Sequence, residues 1–293
     1  MRAAVIFGVG SSEKDLKPFQ TRTGVTWEMG LPATADSADA ILIFGGDGTV
    51  HRHLAELVRL HLPVLVVPRG SGNDFARSLG LQNMTAALRA WVQFTSNGQN
   101  VRTIDLGVIA PLENPALRHF FCSVGGVGLD AAVAERANRL PRWLRGHGGY
   151  VAALPGALLG FAPLPMKVSA GEDSDYAVRS EKPTTLAAFA NGSTYGGGMK
   201  IAPGARMDDG KLDVCLIRGI GKLKLLTLFP TVYFGKHLAI SAVDYFQTRS
   251  LKIETEHPLD VYADGEFVCH TPVEVSVARA VLPVIAPSSS GES

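Results

Sequence analysis

Short apolar runs alternate with helical patterns over the first hundred residues. The runs AAVIF, AILIF and PVLVVP are rich in β-branched residues and predict strands. After AILIF, apolar residues recur at helical spacing from Thr49 to about Leu60, and 74–80 and 84–94 also predict helices. Strands alternating with helices are typical of βα units on a parallel sheet. We therefore predict an α/β domain over residues 1–104.

From about Val101 the pattern changes to strand-like runs separated by glycine-rich turns, such as KLDVCLI, LKIET and DVYADGEFV. Two helical stretches, around 129–140 and 222–235, interrupt the strands. We predict a mainly antiparallel β-sandwich domain over 105–279, with a last strand near 280–288 that returns to the first domain.

The stretch GGYVAALPGALLGFAPLP, residues 148–165, contains no charged residue. It is near the lower length limit for a membrane-spanning helix, and its three prolines disfavour a continuous one. We predict a helix that ends near Gly160 and lines a groove. Together with LKLLTLFPTVYF (223–234), it would cover an apolar groove or face a membrane, unless both segments are only core packing.

Composition excludes several classes of protein. The chain has 293 residues, of which 46% are hydrophobic and 19% charged, so it can bury a sizeable core. Lys and Arg number 28 against 27 Asp and Glu, without basic blocks, which argues against a nucleic-acid partner. Cys122, Cys215 and Cys269 show no metal-ligand spacing and predict buried free thiols in a reducing, cytoplasmic environment.

Two glycine-rich loops each lie between a predicted strand and a predicted helix. Glycines allow backbone N–H groups to approach a phosphate, and parallel strands bring such loops to one edge of the sheet. Neither loop matches the Walker A sequence, and GGDGTV does not match the dinucleotide-binding G-x-G-x-x-G spacing. The alternative is that they are tight turns in which an aspartate caps a helix. The candidate nucleotide-binding residues are Gly45, Gly46, Asp47, Gly48 and Thr49 in the first loop, and Gly70, Ser71, Gly72, Asn73 and Asp74 in the second.

Four blocks in one order, GGDGTV, PRGSGNDFAR, ANGSTYGGGMKIAPGARMDDGKLDV and DGE, resemble the diacylglycerol kinase catalytic-domain family. That family includes bacterial lipid kinases and is related to sphingosine and ceramide kinases. The resemblance runs from about Thr26 to Cys269. It implies an NAD-kinase-like nucleotide-binding domain and an ATP- and Mg²⁺-dependent kinase that phosphorylates the hydroxyl of diacylglycerol or a related lipid.

The resemblance also assigns roles in the first domain. Asp47 would face a cation beside the nucleotide phosphates, since a carboxylate tolerates polyphosphate only with a divalent ion between them. Asp74 and Asp105 look like the other carboxylates of this network. Three hydroxyl residues match positions that contact the nucleotide: Thr26, Thr49 and Ser71.

In the second domain, the resemblance implies a structural Mg²⁺ site formed by the Asp209 carboxylate and the backbone carbonyls of Arg206 and Lys211. It also implies that Asp264 and Glu266 of DGE are catalytic acidic residues, either of which could accept the proton of the lipid hydroxyl. Two residues apart on a strand, they would project from the same face. Both Asp-Gly pairs are also type I′ hairpin signals, so plain turns are the alternative.

The chain departs from the family at two places. GVGSSEKD stands where an Asn-Pro usually follows the first strand, and His51 and Arg52 replace an Asn-Glu after GGDGT. These changes leave the nucleotide donor open, while the acidic positions are intact. The alternatives are an NAD kinase and a catalytically silent lipid-binding protein. We expect transient peripheral contact with the inner face of the membrane, and a homodimer remains open.

Overall fold

The computed structural model describes residues 1–21, 24–140, 149–172 and 175–287. The chain divides into two compact units. One comprises Met1–Asp105 with Arg279–Ser293, and the other comprises Leu106–Ala278. The first has a parallel sheet and the second is mainly antiparallel, which confirms the predicted fold class.

Parallel strands in the order β2-β1-β3-β4 form the sheet of the first unit. The strands are β1 (Arg2–Phe7), β2 (Thr26–Met29), β3 (Ala40–Gly45) and β4 (Val64–Pro68), and the helices are α1 (Glu13–Leu16), α2 (Asp47–Leu60), α3 (Asp74–Ser78) and α4 (Met84–Asn97). All six residues of β3 are buried, as expected for a central strand covered on both faces. Short 3₁₀ helices span Lys17–Thr21 and Ala35–Ser37.

Helix α2 shows how the apolar pattern fixes an element beside the site. It buries Val50, Leu54 and Leu57 on one face and starts two residues earlier than predicted, at Asp47. It ends at Leu60, and the next residue, His61, adopts the left-handed conformation and donates its backbone N–H to the Leu57 carbonyl. The helix therefore begins within the first glycine-rich loop.

Two strands contribute to both units, β5 (Val101–Pro111) and β16 (Val273–Ile285), and Val284 of β16 pairs in parallel with Val64 of β4. The other strands are β6 (His119–Phe121), β7 (Val124–Gly128), β8 (Met166–Glu172), β9 (Asp175–Ser180), β10 (Thr184–Ala190), β11 (Leu212–Arg218), β12 (Val243–Thr248), β13 (Ser250–Thr255), β14 (Asp260–Ala263) and β15 (Glu266–His270). Six of them form the antiparallel order β12-β11-β10-β7-β14-β15, and β13, β8 and β9 follow β16.

The core of the second unit has two parts. Apolar side chains from the two sheets pack face to face, with the Phe121 and Phe189 ring centroids 5.6 Å apart, as in a β-sandwich. A second cluster joins the six-stranded sheet to the helices α5 (Leu129–Arg139), α6 (Gly149–Gly160) and α7 (Lys222–Val232). A 3₁₀ helix, Lys236–Ala239, follows α7.

Helix α6 ends at Gly160 as the sequence predicts, and Pro155 lies inside it. Residue 148, where the uncharged stretch begins, is outside the described residues. Within the part of the chain that the structure describes, no helix has the length and hydropathy needed to cross a membrane.

Candidate active site

The two glycine-rich loops of the first unit touch at their glycines. A Cβ atom on Gly46 would lie 2.7 Å from the Cα atom of Gly70, so neither position has room for a side chain. Asn73, with φ 53°, closes the second loop: its amide donates to the Gly70 carbonyl at 2.7 Å and its Oδ1 accepts the Gly70 N–H at 2.8 Å. The sequence prediction that both loops lie together is therefore correct.

Asp47 joins the two loops. Its carboxylate accepts the backbone N–H groups of Asp74, at 3.1 Å, and Phe75, at 3.0 Å. Both lie in the first turn of α3, where N–H groups have no acceptor within the helix. Asp47 thus caps a helix. That helix is α3, which follows the second loop and begins 27 residues further along the chain. The alternative that an aspartate caps a helix therefore holds for Asp47, although the capped helix is α3 and not the helix that follows Asp47.

Other loop residues are fixed in different ways. Asp74 is buried and pairs with the Arg77 guanidinium at 2.7 Å, which also donates to the Gly72 carbonyl at 2.9 Å. Thr49 is buried beside Gly45, where an added Cβ would lie 2.7 Å from the threonine Cβ. Ser71 is exposed.

The departures from the family pattern have local consequences. In place of Asn-Pro, the Ser11 hydroxyl lies 2.7 Å from the Gly8 carbonyl and 2.6 Å from the Phe44 carbonyl, and so ties the turn after β1 to the end of β3. In place of the Asn-Glu glutamate, Arg52 donates its Nε–H to the Gly48 carbonyl at 3.1 Å. Both substitutions brace the first loop.

Thr26 and Asp105 are predicted to share the site with these loops, and both lie outside them in the sequence. Thr26 opens β2 and pairs with Arg2, so it lies at the amino-terminal edge of the parallel sheet, whereas β3 and β4 enter the loops at the carboxyl edge. Asp105 is buried and accepts the Ala280 backbone N–H at 2.7 Å. That bond fixes the returning segment, where Ala280 has a φ of 51°.

The turn around Asp209 is not the hairpin that Asp-Gly suggested, because no strand precedes β11 at this point. The Asp209 carboxylate accepts the Lys211 N–H at 3.0 Å and is 3.4 Å from the Gln247 amide nitrogen. Arg206 points to Asp208, 3.1 Å away, and is exposed. Three predicted metal-site residues therefore lie in one turn, and the Asp209 side chain links this turn to Gln247 of β12.

Asp213 is a neighbour of this turn that sequence reasoning missed. It lies among apolar residues of β11, is 1% exposed, and accepts hydrogen bonds from Gln247, at 3.1 Å, and from the Tyr245 hydroxyl. Burial raises the pKa of its carboxyl group, partly offset by these bonds. A carboxylate inside the run KLDVCLI was the available signal.

These oxygen donors suit Mg²⁺, which prefers a few carboxylates, carbonyls and water. Among the described residues, no three His, Cys, Asp or Glu side chains converge as a metal site. A divalent ion at this turn would therefore need the backbone carbonyls of Arg206 and Lys211 and water in addition to the Asp209 carboxylate.

The DGE segment forms a tight hairpin between β14 and β15. Asp264 and Gly265 are its two loop residues, with φ 51° and 84°, as the type I′ signal predicts. The expectation that Asp264 and Glu266 project from one face of a strand is wrong, because Asp264 lies in the turn and only Glu266 belongs to β15.

The Asp264 carboxylate is rigidly placed. Its two oxygens accept the backbone N–H groups of Cys122 and Ser123, each at 2.8 Å, and the Asn191 amide donates to the Cys122 carbonyl at 2.9 Å. Glu266 is exposed. The pair therefore consists of one carboxylate fixed by the backbone and one in solvent.

A buried carboxyl group also lies in an apolar cavity of about 40 Å³ beneath α7. Asp130 is 5% exposed, and its Oδ1 accepts the Tyr195 hydroxyl hydrogen bond at 2.8 Å. Burial raises the pKa of Asp130 to about 6, and the bond from Tyr195 opposes that shift. Sequence reasoning missed this residue; its position opening α5, directly after the buried VGGVGL run, was the signal.

Comparison with known proteins identifies the family. Residues 13–109 match the diacylglycerol kinase catalytic domain, and residues 123–286 match the YegS C-terminal NAD kinase beta sandwich-like domain. A diacylglycerol kinase of Mycobacterium tuberculosis is 36% identical over 256 residues, which covers 87% of this chain and 79% of that protein.

Solved structures agree at the level of fold. A diacylglycerol kinase from Bacillus anthracis aligns over 98% of this chain and 97% of its own, with a TM-score of 0.68 and 19% identity. An NAD kinase from Archaeoglobus fulgidus in complex with ATP aligns over 97% and 92%, with a TM-score of 0.53 and 16% identity. The chain therefore belongs to the diacylglycerol kinase family and is a lipid kinase.

Proposed function

We propose that this kinase uses ATP and Mg²⁺ to phosphorylate the hydroxyl group of diacylglycerol or a closely related lipid. The observation that carries the proposal is the bridge from Asp47 to the first turn of α3, which holds two glycine-rich loops in contact. Loops coupled in this way present backbone N–H groups with little reorganisation, which is what binding a triphosphate requires.

In this proposal the loops of the first unit bind the nucleotide. Glycines 45, 46, 48, 70 and 72 let the backbone approach the phosphates. Ser71 is exposed, so its hydroxyl can reach a nucleotide, whereas Thr49 is buried. Mg²⁺, when bound, neutralises charge on the phosphates and so favours transfer. Asp47 contributes through loop geometry and is a candidate partner of a hydrated cation beside the phosphates.

The second unit would provide the base and bind the lipid. The lipid hydroxyl oxygen attacks the γ-phosphorus, a new P–O bond forms, the bond to the β,γ-bridging oxygen breaks, and ADP leaves. The hydroxyl proton passes to a carboxylate. We assign this role to Asp264 ahead of Glu266, because two backbone N–H groups hold its carboxylate in place whereas Glu266 is solvated.

The Asp209 turn would hold a Mg²⁺ that stabilises the fold rather than one that takes part in transfer. The acyl chains of the lipid would contact the inner apolar face of α7, formed by Leu225, Leu228 and Val232, and the α6 residues packed against it. A lipid acceptor supplied by a bilayer implies peripheral contact with the inner face of the membrane.

The test is transfer of labelled phosphate from γ-labelled ATP to a panel of acceptors: diacylglycerol, a sphingoid base, phosphatidylglycerol and NAD. We expect Mg²⁺-dependent labelling of diacylglycerol above all others. Labelling of NAD alone would make the chain an NAD kinase, and labelling of none, despite ATP binding, would favour a catalytically silent lipid-binding protein.

A further inference from the structure

Helix α7 carries an apolar stripe on its exposed face. Leu223 is 78% exposed and Leu226 is 47% exposed, while Phe234, just beyond the helix, is 74% exposed. Pro230 is also exposed, and residues 223, 226 and 230 follow the i, i+3, i+7 spacing of one helix face. Of nine large hydrophobic side chains exposed among the described residues, three therefore lie within this short segment.

The opposite face anchors the helix. Leu225, Leu228 and Val232 repeat the same spacing and are buried in the cluster with α5 and α6. At the end of the helix, the Val232 carbonyl accepts the Lys200 backbone N–H at 3.1 Å. The inner face of α7 is therefore packed against the protein. The apolar residues of the outer face are exposed although the helix is firmly anchored.

The charge of this segment has one sign. Between Asp213 and Asp244 the sequence contains no Asp or Glu, while it contains four Lys and Arg residues. Three of these are lysines, all exposed, and they lie at the start of α7 and just after Phe234: Lys222, Lys224 and Lys236. Apolar side chains bordered by lysines are typical of a helix that lies in the interface of an anionic membrane.

We propose that the outer face of α7, with Leu223, Leu226, Phe234 and the three lysines, docks the kinase on the surface of an anionic phospholipid bilayer. This inference rests on the proposed function, because the lipid acceptor is supplied by a bilayer. Leucine and phenylalanine side chains enter the boundary between headgroups and acyl chains, and the lysine ammonium groups remain among the headgroup phosphates.

A second copy of the chain fits this surface less well. In a twofold dimer the same patch meets itself, so the lysines of one protomer would face the lysines of the other. No acidic residue of the segment is available to compensate. An anionic bilayer supplies the opposite charge without that conflict.

Cosedimentation of the full chain with vesicles tests the proposal. One set of vesicles is pure phosphatidylcholine, and the other contains about 30% phosphatidylglycerol, an anionic lipid. We expect binding to anionic vesicles that weakens with salt. Leu223→Gln with Leu226→Gln should weaken binding at least about tenfold. Each lysine changed to Gln should weaken it about fivefold. Leu117, exposed to the same 47% as Leu226, provides the matched control Leu117→Gln, which should bind like the wild type.

Kinase activity toward a short-chain diacylglycerol below its aggregation limit separates this inference from the proposed function. The double leucine variant should keep that activity and its melting temperature while losing vesicle binding. Wild-type failure to bind anionic vesicles, or equal binding by the double variant, would overturn the docking surface even if the kinase is active. A wild-type dimer that the double variant converts to a monomer would overturn it too, since the stripe would then be a self-interface.

Discussion

Replacing Asp47 by alanine should uncouple the two glycine-rich loops. The change removes a carboxylate that accepts two backbone N–H groups of α3 and leaves both donors without that acceptor. Loss of a helix cap costs about 1–2 kcal/mol, and removing the Asp47 acceptor from two partly buried N–H groups raises the total to about 2–3 kcal/mol. At about 2–4 °C per kcal/mol for a protein of this size class, the melting temperature should fall by about 5–10 °C.

The second effect of this substitution is on nucleotide binding. At a Mg·ATP concentration about 100 times the Kd, the wild type should gain about 2.7 kcal/mol of stability by mass action. Because the loops are then no longer held in contact, Asp47→Ala should lose most of this gain. Thermal melts of both proteins, with and without Mg·ATP, measure the two effects separately.

Asn83 provides a matched control in the same unit. Its side chain caps α4, a different helix from α3, by accepting the Ala86 N–H at 2.9 Å. Asn83→Ala should lower the melting temperature through a cost of about 1 kcal/mol and keep the full response to Mg·ATP. A full response in Asp47→Ala as well would refute the reasoning that links the cap to the nucleotide.

Two further predictions concern the second unit. If Asp209 holds a structural Mg²⁺, chelation should lower the melting temperature of the wild type but hardly that of Asp209→Ala; equal sensitivity of the two would contradict the site. The pKa of Asp130, about 6 against an ordinary value near 4, favours its protonated form in the folded state. The contribution of Asp130 to the free energy of unfolding should therefore be fully present below pH ~4. It should fall by up to about 3 kcal/mol as pH rises through 6, because the unfolded state releases this proton at lower pH than the folded state. Asp130→Asn, which keeps an acceptor for Tyr195, should flatten this dependence in urea unfolding between pH 4 and 7, and an unchanged slope would contradict it.

Periodicity and turn chemistry predicted the elements well because these signals are local. The apolar run AILIF became the central strand β3, the uncharged stretch gave a helix ending at Gly160, and Asp264-Gly265 formed its hairpin. The same Asp-Gly signal failed at Asp209, since a hairpin also needs a strand on its first side and residues before Asp209 fold as turns.

The roles of acidic side chains were less predictable because they depend on distant partners. Asp47 bonds to backbone 27 residues away, and Asp264 to backbone about 140 residues away. A motif match for Thr26 ignores the direction of its strand. Thr26 is the first residue of β2, so it lies at the opposite edge of the parallel sheet from the loops. Burial of Asp213 depends on β11 being covered on both faces, which a single run of sequence does not reveal.

The structure also changes how the base must be tested. Asp264→Asn replaces one accepting oxygen by a donor that faces a backbone N–H, so it should lower stability as well as turnover. Glu266→Gln changes an exposed side chain and should leave stability unchanged. Asp260→Asn, on β14, is the matched control, because it removes a nearby carboxylate outside the DGE turn. Among the described residues, the ion pair of Asp260 is with His270, at 3.2 Å.

The most direct test of phosphoryl transfer by this site is the kcat for labelled diacylglycerol phosphate formation by these three variants, at a temperature where each is folded. We expect Asp264→Asn to lower kcat by about 10²–10⁴-fold with nearly unchanged ATP affinity. Asp260→Asn should retain wild-type turnover. Near-normal turnover of folded Asp264→Asn would show that Asp264 is not the base, and a loss confined to Glu266→Gln would assign that role to Glu266.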